Sequence, residues 1–374
     1  MITIEYAVYS IIGIYTCTIF LYTCGWLRLK TINTPADVIN NNISIVIACR
    51  NEEQNISTLL IALINQTYNK ENTEIVIVDD NSEDDTIKII DNYKEKYEFI
   101  KLFKLPEAKT GKKEAIAFGI KNSQSEIIIT TDADCTMEND WLYTMINYYY
   151  QFKPKLLVGP VTFKNEKNIF SQLQALEFLS LVGSGAGAIG INRAIMSNGA
   201  NLLFEKSAFL DSNLHYNYTS GDDVFLMLHV KKKYKKAIQF IKSKNAIVYT
   251  KAEKSIRIFF NQRVRWTSKS KAYRDFDIIF TAIIVTLTNL ALVFSLSFSI
   301  WNFTFFRTFL ILFILKSIFD LSILIPVSKF FHQQKLLWLF LPLQIIYPVY
   351  IILTVIFGLI GNFNWKGRNF KEKG

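Results

Sequence analysis

Apolar residues are distributed along the 374 positions in two ways. Long uncharged stretches flank the chain. Ile4 to Leu27 is followed directly by Arg28 and Lys30, and Ile278–Ile300, Phe305–Val327 and Leu336–Ile360 fill the C-terminal part. About 20 apolar residues suffice for a helix to cross a bilayer. Residues 1–28 therefore read as a transmembrane anchor and 277–361 as a membrane region of three apolar segments. The second of these carries Lys316 and Asp320 at i and i+4, where a pair neutralises itself in the bilayer; a lipid site fits the spacing equally.

The middle of the chain has a finer grain. A polar linker, Thr31 to Asn42, leads to short apolar runs of the length of buried strands: Ile43–Cys49, Glu74–Val78, Ile100–Leu105 and the run opened by Ile127. Between them lie helical patterns. Ile56, Leu59, Leu60 and Leu63 mark a helix within Asn55–Gln66; Thr86–Lys96 is a second, capped by Ser82 or a neighbour; a third runs from Lys113 through Asn122. This alternation predicts an α/β fold on a parallel sheet. Past Glu138 the pattern loosens into a helix over Trp141–Phe152, a strand over Leu156–Thr162 and a helix over Phe170–Leu181. Gly183–Gly190 then reads as a loop or a close-packed backbone. Ser197–Asn201 is a turn, Leu202–Phe204 a short strand, and Asp222 and Asp223 open a helix. From Ser255 to Arg274, Ile256, Phe259, Phe260, Val264 and Trp266 alternate with basic residues, as in a helix lying in a membrane interface.

Charge sharpens this picture. Net charge is +10, yet fifteen Lys and Arg lie between Lys231 and Phe276 against only Glu253 and Asp275. That block runs straight into apolar spans, which favours anionic headgroups over nucleic acid as its partner. Arg28 and Lys30 put the middle of the chain in the cytoplasm by the positive-inside rule, as expected of a multi-pass protein of the cell (inner) membrane. Three C-terminal crossings would place Lys366, Arg368, Lys371 and Lys373 outside, against that rule. One segment is therefore expected to be re-entrant, and Pro342 and Pro348 point to the last. Cys17, Cys24, Cys49 and Cys135 show no paired or metal-ligand spacing, and His215, His229 and His332 are too scattered for a zinc site.

The candidate chemistry collects at strand ends, where open α/β sheets bind ligands. Ile127-Ile-Ile-Thr-Thr-Asp-Ala-Asp-Cys135 ends a buried run in two carboxylates one residue apart. Such a pair can share a divalent cation held against a phosphate, although turn and capping aspartates look the same. Asp79 or Asp80 can accept hydrogen bonds from a base or ribose, and Lys112 and Lys113 can neutralise a diphosphate. Gly111-Lys-Lys113 is not a Walker loop, since Pro106 stands where its first Gly belongs.

In order, Arg50-Asn-Glu-Glu53, Val78-Asp-Asp80, Gly111-Lys-Lys113, Asp132-Ala-Asp134, Asn198-Gly-Ala-Asn201, Gly221-Asp-Asp223 and Gln262-Arg-Val-Arg-Trp266 resemble the motifs of membrane-bound family-2 glycosyltransferases with a GT-A catalytic domain. The match covers roughly Ile43 to Trp266. It implies a GT-A domain over 41–254, an interfacial helix over 255–276 and a basic tail over 362–374. It further implies an inverting, Mg²⁺- or Mn²⁺-dependent transfer from a UDP-sugar to a lipid or glycan acceptor at the membrane. By resemblance, Arg50, Glu52, Asp79, Asp80, Lys112, Asp132, Gln262, Arg265 and Trp266 bind the nucleotide sugar, and Asp132 and Asp134 the metal. Asn198, Gly199, Ala200, Asn201, Asp222 and Trp266 face the acceptor, and Asp223 is the base. The family's Glu-Asp before the helix is Asp222-Asp223 here, which leaves Asp222 as an alternative base. A single transfer to a lipid is the leading expectation, because few spans follow the catalytic domain. A processive polysaccharide synthase is the runner-up, favoured by the complete Gln-x-x-Arg-Trp motif. A polyprenyl-phosphate acceptor fits less well, and an inactive nucleotide-sugar-binding scaffold is the alternative of another class.

Overall fold

The computed structural model describes residues 2–31, 41–106, 108–164, 167–212, 221–360, 363–365 and 368–370. Most of the Thr31–Asn42 linker and of the basic tail, together with His215 and Ser220, lies outside the described residues. Helix α1 (Ile2–Arg28) buries Val8, Ile12, Tyr15, Ile19, Tyr22 and Trp26, one stripe at alternating steps of four and three.

The next elements alternate strand and helix as the sequence pattern requires. They are β1 (Ile43–Cys49), α2 (Ile56–Ile64), β2 (Thr73–Asp79), α3 (Thr86–Lys94), β3 (Ile100–Lys104), α4 (Lys112–Asn122) and β4 (Ile127–Thr130). Strands β1 and β2 bury nearly every side chain, as central parallel strands covered on both faces must. Ser82 does not cap α3: its hydroxyl accepts from the Asn51 amide at 3.0 Å, and the Asp84 carboxylate takes the Thr86 amide at 3.0 Å instead.

The chain continues through β5 (Thr136–Met137), α5 (Trp141–Phe152), β6 (Leu156–Val158) and β7 (Val161–Phe163). The single strand expected over 156–162 is split because Gly159 and Pro160 carry the chain from one sheet to another, and proline offers no ladder donor. Then come α6 (Ile169–Gly190), β8 (Leu202–Glu205), α7 (Lys206–Leu210), α8 (Asp222–Lys233), β9 (Ile238–Phe240) and β10 (Val248–Thr250). The main sheet runs β3-β2-β1-β4-β8-β6-β9, with β8 antiparallel to both neighbours; β5-β10-β7 form a smaller sheet. Cys49 pairs with Asp79 and Val46 with Thr130, so the carboxyl ends of β1, β2 and β4 open on one edge.

Helix α9 (Ile256–Ser268) leads to α10 (Phe276–Phe298), α11 (Phe303–Phe330), α12 (Phe340–Ile360) and a hairpin of β11 (Phe363–Trp365) and β12 (Arg368–Phe370). Among the described residues, five helices are long and apolar enough to cross a membrane by length and composition: α1, α6, α10, α11 and the stretch Gln334–Ile360 that ends in α12. Of these, α6 comes as an addition. The glycine-rich segment is helical to Gly190, and its glycines let two backbones touch. A methyl group built on Gly187 would lie 2.2 Å from the Tyr22 carbonyl oxygen, and one on Gly25 only 1.9 Å from that of Gly187. Both ends of α6 lead into strands of the same α/β body, so it docks beside α1 without carrying the chain across. In α11 the Lys316 amine meets Asp320 at 2.6 Å and Gln344 at 2.8 Å, and the Tyr15 hydroxyl donates to Asp320 at 2.6 Å. The pair is thus neutralised by structural partners from three helices.

Candidate active site

The site is assembled where β1, β2 and β4 end. After β2, Asp79 is fully buried and accepts from the Ser82 amide at 3.1 Å. Asp80 accepts from the Gly111 amide at 3.0 Å, which fixes the start of α4 against the end of β2. Arg50, which follows β1, donates to the Asp80 and Asn81 carbonyls at 2.7 and 2.6 Å and to Glu83 at 2.9 Å. It braces the loop that holds Asp80. Glu52 receives the Asn55 amide at 2.6 Å and lies close enough to Asp134 to act on its charge.

Lys112 is the first residue of α4, and its amine pairs with Asp132. Burial opposes its charge, but Asp132, Asp222 and Asp223 outweigh that and hold the ammonium above its usual range. Lys113 is 3 % exposed and lies 5.4 Å over the Phe225 ring of α8. Asp134 receives the Thr250 hydroxyl at 3.2 Å. Burial first, then the charges of Asp132 and Glu52, push its carboxyl up to about 6.

From the other side, α8 begins at Gly221, whose φ of 97° is a left-handed conformation that suits glycine. Asp223 accepts from the Gly199 amide at 3.2 Å and from the Val224 amide at 2.8 Å. Burial and then Asp223 raise the Asp222 carboxyl. The turn 198–201 is pinned by the Thr130 hydroxyl on the Gly199 carbonyl at 2.8 Å and by Asn198 on the Ala200 amide at 3.0 Å. A methyl group built on Gly199 would lie 3.7 Å from both the Asp223 Cβ and the Lys112 Nζ, and 4.0 Å from Asp222 Oδ2. Three motifs far apart in sequence therefore converge at Gly199.

The packing turns part of the expected acceptor set inward, and Asn201 is directed into the core. It is fully buried, donates to the Pro160 and Ala246 carbonyls at 2.9 and 2.8 Å and accepts from the Trp141 indole at 3.1 Å, so its amide is consumed by the core. Ala200, 3 % exposed, is likewise interior. In α9 the motif divides its labour. Gln262 donates to Glu253 at 2.6 Å, whereas Arg265 lies near enough to Asp132, Asp223, Glu253 and Asp222 to feel their charge. Trp266 is partly buried, 6.4 Å from the Phe178 ring and under the Arg263 guanidinium at 4.2 Å. Arg263, given no role by the resemblance, is a structural residue of this helix. It forms a two-point ion pair with Glu177 of α6, at 3.1 and 2.6 Å, with both side chains about 95 % buried. Its place inside the Gln-x-x-Arg-Trp run was the available signal, but the partner lies 86 positions away.

Comparison with known proteins rests on the same elements. The model of "Glycosyl transferase family 2" matches residues 44–209, and that of "Glycosyl transferase family group 2" matches 127–359, more than half of the chain. The chain belongs to the family-2 glycosyltransferases. This glycosyltransferase is 28 % identical over 229 residues to a poly-beta-1,6-N-acetyl-D-glucosamine synthase of Staphylococcus epidermidis, covering 60 % of the chain and 53 % of that protein. To the synthase of the same name from Staphylococcus aureus strain COL it is 29 % identical over 209 residues, 55 % and 49 % of the two chains. The match thus spans about half the length of these relatives. Among solved structures, a mannosyltransferase of Pyrobaculum calidifontis in complex with GDP-Man and Mn²⁺ superposes with a TM-score of 0.61 at 16 % identity, over 95 % of this chain and 99 % of that one. The GT-A fold of this glycosyltransferase follows from that likeness together with its sheet order.

Proposed function

We propose that this glycosyltransferase moves a sugar from a UDP-sugar to the hydroxyl of a membrane-associated acceptor, with inversion at the sugar carbon. The observation that carries this reading is the meeting of Asp132, Asp134, Asp222 and Asp223 with Lys112 and Arg265 at the edge where β1, β2 and β4 end. Departure of a nucleoside diphosphate leaves negative charge that fixed cations stabilise, and Lys112 and Arg265 are suited to that role. The attacking hydroxyl must lose its proton to a positioned carboxylate. Asp223, oriented by the Gly199 and Val224 amides, is that base, and a base opposite the leaving group entails inversion.

A divalent cation fits the donor set. Asp134 is half-buried, and its carboxyl is raised by desolvation and then by the charges of Asp132 and Glu52, a repulsion that a cation relieves. Among the described residues no three His, Cys, Asp or Glu side chains converge to hold a metal by themselves. Asp132 and Asp134 would therefore hold Mg²⁺ or Mn²⁺ together with the donor's own diphosphate, the usual arrangement for Mg²⁺. The cation supplies charge neutralisation at the diphosphate.

A second reading, extension of a polysaccharide, is favoured by the names of the staphylococcal relatives. The decisive experiment incubates the purified full-length protein in lipid with a panel of nucleotide sugars and Mn²⁺, and follows nucleotide release and product size. A single sugar on a lipid is the expected product. Long lipid-free chains would transfer the assignment to a synthase, and no release from any donor would defeat both.

A further inference from the structure

Lys269 opens the short 3-10 turn Lys269–Ala272 directly after α9. It stands four residues past Arg265, so the two cations share one helical face. Lys269 is 8 % exposed, and among the described residues its amine makes no hydrogen bond and no ion pair. An ammonium buried in this way is costly unless something negative meets it. Its surroundings lie in the site: Asp223 and Asp222 at the start of α8 attract its charge, whereas Arg265 on α9 and Lys112 on α4 oppose it.

The approach of Lys269 is built into the fold. Its stem lies against Gly221, where an added Cβ would come within 3.1 Å of the Lys269 Cδ and 3.3 Å of the Phe225 ring. The glycine just before the two aspartates is what leaves room for the lysine. Lys112 is already committed to Asp132. Among the described residues, Lys269 is thus a buried cation with acidic neighbours and no hydrogen-bond or ion-pair partner.

We propose that Lys269 binds a phosphoryl oxygen of the donor's diphosphate, beside Arg265, and holds that group as it leaves. This rests on the proposed transfer from a nucleotide sugar. Burial, together with Arg265 and Lys112, lowers the amine to about 8, despite the two aspartates, and a diphosphate beside it would favour the ammonium.

The test is titration of UDP, with Mg²⁺, into the purified full-length protein, followed by calorimetry between pH 7 and 9. At pH 7, Lys269→Met is expected to weaken UDP binding about 10- to 100-fold, the range for one lost charge-assisted hydrogen bond. Lys269→Arg should restore most of it. Wild-type affinity should fall as pH rises past 8, and the Arg variant should not follow; this readout needs no variant that risks misfolding. Undiminished UDP affinity in Lys269→Met, or a loss confined to the KM of the acceptor, overturns the assignment. A wild-type protein that takes up UDP, GDP, ADP and CDP equally poorly removes the parent reading and this one with it.

Discussion

At the scale of single residues, the site turns on what each carboxylate touches. Asp223 sits in the first turn of α8, where two backbone amides hold its carboxylate in place. Asp223→Asn is expected to lower turnover at least ~10²-fold, the low end for a lost general base, with UDP affinity nearly unchanged. If the side chain served only as a helix cap, the same variant would be almost silent, because Asn caps as well as Asp. Full activity with a dead Asp222→Asn would move the base one residue back. For the cation, Asp134→Asn should abolish turnover in a folded protein, since it keeps the volume and loses the charge. Normal turnover in excess EDTA would end the metal assignment.

At the scale of elements, α9 is held by a clamp. Arg263 lies 4.5 Å from the centre of the Phe259 ring and 4.2 Å from that of Trp266 while its fork grips Glu177, and the Tyr350 hydroxyl of α12 donates to the same carboxylate at 3.3 Å. The clamp fixes the helix whose other face carries Arg265. Removing one partner strands a buried charge, so Glu177→Gln should cost about 3–5 kcal/mol, whereas replacing both partners with apolar residues should recover most of that. Thermal unfolding in detergent reads the difference. An unchanged Tm in Glu177→Gln would deny the clamp its structural weight.

At the scale of the whole molecule, the turn after α11 meets β7 and the far end of α12 meets α9. Just past α11, Gln333 donates to the Phe163 carbonyl at 2.8 Å and accepts from Thr162 at 3.1 Å, both in β7. At the far end of α12, the Phe357 ring lies 5.7 Å from Phe260, and a methyl group built on Gly358 would come within 2.7 Å of Thr267 in α9. A helix that returns to the layer it left does not cross. We therefore expect the last apolar segment to be re-entrant and the tail to share the catalytic side, as its lysines and arginine require. A cysteine placed at Gly374 in a cysteine-free background should react with an impermeant reagent only in opened vesicles. Labelling from outside intact cells would refute this.

The parallel half of the sheet was legible in the sequence because buried strands leave local signatures: β1 begins and ends where its apolar run does, and β2 adds only Thr73 and Asp79. The pair Asp132 and Asp134 stands out for the same reason, as charges set abruptly at the end of such a run, whereas Asp222 and Asp223 open a helix and were singled out only by resemblance. Glycine spacing could not decide between loop and helix at Gly183–Gly190, because that choice depends on the α1 backbone lying 160 residues away in sequence. Nor could a polar residue in a motif announce whether it faces ligand or core. Asn201 went to the core because Trp141 and two carbonyls met it there, while Lys269, unmarked by any motif, was brought to Asp223 by the turn of α9. Local periodicity fixes which segments are buried and where charge is placed. Which side chains share a site is settled only by long-range packing, since a contact between distant segments has no period to read.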